Sequence, residues 1–327
     1  MFKNVMVYRI GEGWSPSLSD VEEALQGARF VECGATQDKS VGWAEPRGQD
    51  HGPLVESVGG QWIAKLVIES KAVPGNVVRR KLDEQVAEIE ATTGRKPGKK
   101  EKRNLQDEIL LTLLPQAFAR QASVLVWIDM TARRLVLNAG SQGKADEAVS
   151  ALLKALPGLN IALLQTATTP QAAMTEWLLA PMPDDWPADL SVERECTLKA
   201  TGEDAASIRY VRHHLLSDDV RKHVTEGKLP TQLALSWDGR VAFVLTETLQ
   251  LKKVQFLDGV MDDSGTDKKE DRFDADVALS TGLLSPLLDS LIEALGGEMA
   301  WGQGTDEAAS SAQTTGDTAP ATDDPPF

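Results

Sequence analysis

The chain has 327 residues, 42% hydrophobic and 25% charged, and a formal net charge of −15 from 49 acidic and 34 basic side chains. That length permits roughly two or three domains with a substantial core and excludes a single small module. No run approaches the ~20 consecutive apolar residues of a membrane span. The opening Met1-Phe2-Lys3-Asn4-Val5-Met6-Val7-Tyr8-Arg9 lacks the apolar run and cleavage site of a secretory signal, so a cytoplasmic location with no membrane partner is expected.

Residues 2–10 read as a strand closed by Gly11-Glu12-Gly13. Ser19 as N-cap with Glu22 three positions later suggests a capping box, opening a helix with Val21, Leu25 and Ala28 on its apolar face. Residues 34–60, rich in Gly and Pro, read as a loop, and 61–70 as a strand ended by Val73-Pro74-Gly75-Asn76. From Asn76, taken as an N-cap, to about Thr92, the residues Val78, Leu82, Val86 and Ile89 recur at helical spacing. Residues 93–100 break that pattern, and a second helix runs from about Lys102 to Leu114 with Leu105, Ile109, Leu110 and Leu113 as its apolar positions. The pair predicts a projecting helical hairpin with a basic tip.

Two strands follow at 123–129 and 134–138, then a helix at 144–156 ended by Pro157-Gly158, a strand at 159–164 and a helix around 171–179 before the break at 180–183. Beyond Asp189 the pattern predicts strands at 195–200, 207–212, 232–237, 240–246 and 249–256, with Asp238-Gly239 as a hairpin turn. A charged loop at 262–272 leads to a last helix at 283–295, stopped at Gly296-Gly297. Past Trp301 the Ala, Ser, Thr, Asp, Gly and Pro content offers no core, and the segment reads as disordered. The class is α+β, without sequence repeats.

The mean charge conceals segregation. Asp306, Glu307, Asp317, Asp323 and Asp324 lie in a terminal stretch with no Lys or Arg, whereas residues 71–103 carry ten cations against five acids. A second basic cluster is SIRYVRHHL at 207–215, followed by Arg221, Lys222, His223 and Lys228. Such segregation is what a nucleic-acid surface on an acidic protein requires; a solvated surface turn or strand is the plain alternative. His213, His214 and His223 raise a metal site, but adjacent histidines on a strand point to opposite faces, and no metal or other cofactor is expected. Cys33 and Cys196 lack CxxC spacing and read as packed thiols. The acid pairs Asp184-Asp185, Asp218-Asp219, Asp262-Asp263 and Asp274/Asp276 could hold magnesium in a nuclease. Adjacent acids are more often turn or cap residues, with Asp218 and Asp219 read as N-caps of the next helix, and no GxxxxGK[ST], HExxH or GxSxG is present, so no enzyme is expected.

Several blocks, in order and spacing, resemble the RdgC family of recombination-associated proteins: FKNVMVYRI at 2–10, GWAEP at 42–46, EILLTLLPQAFARQ at 108–121, TEWL at 175–178, LALSW at 233–237 and RFDADVALSTGLLSPLLDSLIEALGGE at 272–298. None is a catalytic signature. The resemblance implies a horseshoe-shaped, multi-domain subunit with a projecting hairpin, whose two ends meet a second copy to close a ring dimer around duplex DNA. It implies a division into a central region (1–75 and 123–180), a hairpin tip (76–122), a strand-rich base (181–301) and an acidic tail (302–327). A ring with an acidic outside and a basic hole reconciles a negative mean with a DNA ligand, and phosphate contacts carry no base information. Arg212 and His213 fall where the family carries polar or basic residues facing the hole, with Arg209 in the same block. Arg221, Lys222, Arg79, Arg80 and Lys81 are further candidate DNA contacts, and Phe118 falls at the family's subunit contact, the alternative being a buried Phe beneath the hairpin. The implied role is sequence-nonspecific DNA binding in the nucleoid that limits recombination by RecA; the competing reading is an adaptor that binds the recombinase directly.

Overall fold

A computed structural model describes residues 2–180, 186–201, 206–257 and 269–300, with 269–271 described by their backbone alone. Among these residues the fold is mixed α/β, with seven α-helices and two sheets. The chain order begins β1 (Met6–Ile10), α1 (Leu18–Gln26), β2 (Lys39–Ala44), β3 (Val55–Val58), β4 (Gln61–Lys71), α2 (Gly75–Thr93), α3 (Lys99–Leu113), β5 (Ala119–Asp129), β6 (Arg134–Leu137) and α4 (Gln142–Ala155). It continues with β7 (Ile161–Leu163), α5 (Pro170–Leu179), β8 (Leu190–Ala200), β9 (Ser207–Val211), α6 (Asp218–Thr225), β10 (Lys228–Trp237), β11 (Val241–Thr246), β12 (Leu251–Phe256) and α7 (Lys269–Ala294). Two compact units divide the chain: Met1–Met6, Ile10–Ile161 and Gly265–Leu279 form the first, and Val7–Arg9, Ala162–Ser264 and Ser280–Phe327 the second.

The larger sheet runs β2-β4-β5-β6-β1-β7, with β3 also paired to β4. In the first unit β4 is an interior strand with Ile63, Ala64, Leu66, Val67 and Ile68 buried on both faces, and it pairs antiparallel with β2, β3 and β5. The expected loop at 34–60 is corrected: it contains β2 and β3, short strands whose pattern is interrupted by Gly42 and whose register is imposed by β4. The helix α1 is capped by Ser17 rather than Ser19. The Ser17 hydroxyl accepts from the Asp20 N–H at 3.2 Å, and Asp20 accepts from the Ser17 N–H at 2.9 Å. Glu22, freed from the cap, accepts the N–H groups of Leu54 and Val55 at 2.8 and 2.9 Å. The cap at Asn76 is likewise corrected: α2 starts at Gly75 behind Pro74, and Asn76 accepts only from the Val77 N–H next to it.

Two polar nodes fasten this unit. Arg47, only 15% exposed, bonds Glu56 at 2.8 Å and Asp274 at 2.6 Å and lies 4.7 Å over the Phe273 ring. The buried Glu69 carboxylate on β4 accepts the Cys33 N–H at 2.7 Å and the Gln121 amide at 2.6 Å. The Gln121 bond and the Cys33 N–H hold the Glu69 carboxyl below the usual glutamate range. Its stabilising contribution is therefore present above the unfolded value of about 4.3 and is lost as pH falls through the lower folded value. Glu69→Gln is expected to lower the urea midpoint at pH 7, with the gap to wild type narrowing by pH 3; an equal gap at both pH values would exclude this linkage.

The hairpin of α2 and α3 is present as expected, with Gly94 in the left-handed region (φ 68°) closing α2. It buries only Val78 and Ile109 among its helical residues.

The smaller sheet, in the second unit, has the order β12-β11-β10-β8-β9 and is antiparallel throughout. Asp238 and Gly239, at φ 49° and 61°, make the β10–β11 hairpin as the dipeptide dictates. One face buries Cys196, Leu198, Leu233, Leu235, Phe243 and Leu245, and α5 and α6 pack on β10. Burial pushes the Cys196 thiol up to about 12, so it stays protonated and serves as packing. Ser217, not Asp218 or Asp219, precedes α6. The two aspartates occupy its first turn, where the helix dipole favours them.

The last helix begins at Lys269 rather than 283, because its charged opening gives no apolar period by which to recognise it. By length and by a mean hydropathy of 1.3, Arg272–Ala294 could cross a bilayer, but Leu283, Leu284, Leu287, Leu288, Leu291 and Leu295 are each buried in the protein. It stops as expected at Gly296 and Gly297, both at positive φ, with the Gly297 N–H bonded to the Ile292 carbonyl at 2.9 Å. The break at 181–183, the loop at 262–268, the acid pairs at 184–185 and 262–263, and the tail read as disordered lie outside the described residues.

Candidate nucleic-acid interface

In the second unit the basic cluster is built on β9, an edge strand whose alternation places Ile208 and Tyr210 on the buried face with Cys196 and Leu198. The intervening Arg209 is exposed, stands opposite Thr197 and reaches Glu195 at 2.6 Å. Glu195 also receives the Lys253 ammonium at 2.9 and 3.1 Å. Lys253 and Arg209 together hold the Glu195 carboxyl below its ordinary range. Sequence reasoning does not single out Lys253, because its partner lies 58 residues away and neither strand alone signals the meeting.

Arg212 leaves β9 in the left-handed region (φ 55°), exposed and without an acidic partner among the described residues. His213 turns the other way. Its N–H bonds the Arg194 carbonyl at 3.1 Å, its ring lies tilted against Tyr210 with the centroids 5.1 Å apart, and its Nδ1 is buried without a partner. Lys222 is exposed in the last turn of α6, whereas half-buried Arg221 donates to the Ala180 carbonyl at 2.8 Å and ties α6 to the end of α5. His223 stands 3.1 Å from Lys228 and 3.4 Å from Glu226, while His214 is exposed. His213 and His223 thus have different neighbours, and among the described residues no group of three or more His, Cys, Asp or Glu side chains could hold a metal ion.

In the first unit, Arg79, Arg80 and Lys81 are all exposed near the start of α2. Arg80 and Lys81 share Glu84 at 3.9 and 3.1 Å. At the tip, Arg95 pairs with Glu101 at 3.0 Å and Lys96 with Glu90 at 3.6 Å. Arg79, Lys99, Lys100, Lys102 and Arg103 are exposed and have no acid within ion-pair distance among the described residues. Exposed pairs contribute little, so even the paired cations remain available to a stronger anion.

Phe118 sits between α3 and β5 with 91% of its surface open, which overturns the buried alternative. Leu111 on the same helix hairpin is 52% exposed. Covering an aromatic ring so displayed is favourable, because it removes a large apolar surface from water.

The model of a protein family described as "Putative exonuclease, RdgC" matches residues 1–298. Among curated relatives, the recombination-associated protein RdgC of Dechloromonas aromatica is 39% identical over 303 residues, covering 91% of this chain and 98% of the relative. That of Janthinobacterium is 40% identical over 300 residues and that of Cupriavidus pinatubonensis 42% over 299, each with the same coverage.

Proposed function

The chain belongs to the RdgC family, and on that premise we propose that it is a non-enzymatic, sequence-nonspecific duplex-DNA-binding protein. In this reading two horseshoe-shaped copies close a ring on the nucleoid in the cytoplasm and limit strand exchange by RecA. The observation that carries it is a group of exposed cations with no acid within ion-pair distance among the described residues, Arg79, Lys99, Lys100, Lys102, Arg103 and Arg212, in a chain whose net charge is −15. Cations left unpaired in each unit while acids are in surplus are available to a polyanion. Phe118 is the contact assigned to the second copy, and the relatives' name supports a place in recombination.

The family description favours a second reading, an exonuclease. Of the acids that could hold magnesium, Asp274 is spent on Arg47 at 2.6 Å, and Asp218 and Asp219 lie in a helix first turn.

Gel-shift titration of the full chain on unrelated duplexes, with and without magnesium, separates these readings. A salt-sensitive shift of intact DNA on every sequence is expected. Magnesium-dependent shortening of the duplex would establish the nuclease, and no shift at low salt with retained affinity for the recombinase would establish the adaptor. Arg212→Ala combined with His213→Ala is expected to weaken binding by roughly tenfold on each duplex alike, without changing the oligomeric state. Unchanged affinity would remove both from the DNA surface.

A further inference from the structure

We propose that Glu195, Arg209 and Lys253 form a phosphate seat for duplex DNA, in which a backbone phosphate takes the place of the Glu195 carboxylate between the two cations. The assignment rests on the duplex-binding reading above and adds Lys253 to it. β12 and β8 have β11 and β10 between them, a separation of about 14 Å at ~4.8 Å per strand. Side chains from Arg209 on the β9 edge and Lys253 on the β12 edge nonetheless converge on one carboxylate lying between them, at 2.6 Å and at 2.9 and 3.1 Å. Lys253 adopts φ 53°, beside the register shift between Ala242 and Val244 in the β11–β12 pair.

The outer surface of this node is open. The side chains of Arg209 and Lys253 are 60% and 55% exposed, and that of Glu195 is 25% exposed. Thr197 and Gln232, in register with Arg209 across the sheet, are half-exposed and polar. A fork of one guanidinium and one ammonium is thus already closed on two oxygens of an anion, on an accessible sheet face. Phosphate matches it better than carboxylate, because its oxygens can engage both edges of the guanidinium and the ammonium at once. Both cations lie largely in solvent, where ion pairs contribute little, so exchange at their outer side costs little, and while DNA is absent Glu195 keeps the two long side chains ordered.

The test is fluorescence-anisotropy titration of the full chain with two unrelated duplexes over a salt series. Lys253→Gln is expected to weaken binding about fivefold on both duplexes and to flatten the slope of log K against log salt by about 0.9 for each phosphate that the variant leaves unneutralised. Lys253→Arg is expected to retain wild-type affinity, and Glu195→Gln to bind more tightly than wild type, since the internal competitor is gone while the cations remain. Wild-type affinity in Lys253→Gln, or no gain in Glu195→Gln, overturns the seat while leaving duplex binding by the wild type intact. Failure of the wild type itself to bind overturns the duplex-binding reading and the seat together.

Discussion

Gly42→Ala is expected to cost on the order of 4 kcal/mol of folding stability, well above the range of ordinary strand substitutions. A Cβ at this position would stand 2.4 Å from the Cα and 2.6 Å from the N of Phe30, and 2.9 Å from the carbonyl carbon of Arg29. All three are backbone atoms. They cannot retreat by a rotamer change, because the Phe30 N–H is bonded to the Trp43 carbonyl at 2.8 Å and the Trp43 N–H to the Ala28 carbonyl at 2.9 Å. Those two bonds clamp the chain after α1 against β2, so relief of the clash breaks them and exposes Trp43, which is 1% exposed. Urea unfolding followed by circular dichroism measures the loss; a change within about 1 kcal/mol would mean that the two backbones do not lie so close.

If the proposed dimer closes through Phe118, Phe118→Ser should raise its dissociation constant by about a thousandfold while leaving each subunit folded. A two-fold contact presents the same patch twice, so one substitution removes two rings. A buried aromatic anchor at the centre of such a contact is worth about 2 kcal/mol, and two of them about 4 kcal/mol, which corresponds to roughly three decades in the constant. Folding is spared because the side chain is 91% exposed in the single subunit and contributes nothing to its core. Sedimentation equilibrium across a wide concentration range reads the effect. An unchanged association constant, or a wild type that is monomeric throughout, would remove Phe118 from any subunit contact.

The elements legible in the sequence are those whose signal is local. β4 declares itself by a dense run of buried apolar residues, the β10–β11 hairpin by Asp238-Gly239, and the end of α7 by Gly296-Gly297. Where two local patterns compete, the decision comes from distant partners. Ser17 and Ser19 each stand three residues before an acid, and only the demand of the Leu54 and Val55 N–H groups for Glu22 leaves the cap to Ser17 and Asp20. β2 and β3 are hidden because they are short and borrow their register from β4. The opening of α7 is hidden because Asp274 and Phe273 face Arg47 rather than following an apolar stripe.

The same division holds for the candidate site. Clusters of like charge are visible in one dimension, and Arg209, Arg212, Lys222 and Arg79 are indeed exposed. What each cation does next depends on the fold: Arg221 is turned back onto Ala180, His213 onto Tyr210, and Lys253 across the sheet to Glu195.

If cations gathered on this acidic protein hold DNA through its phosphates, affinity must be indifferent to sequence and steeply dependent on salt. Titrating the full chain with two duplexes of equal length and unrelated sequence, at ionic strengths from about 50 to 200 mM, measures both properties at once. Superimposable isotherms are expected, with a slope of log K against log salt of roughly −4 or steeper, about −0.9 for each phosphate neutralised. Affinities that differ tenfold between the duplexes, or that ignore salt, would contradict a phosphate-held complex.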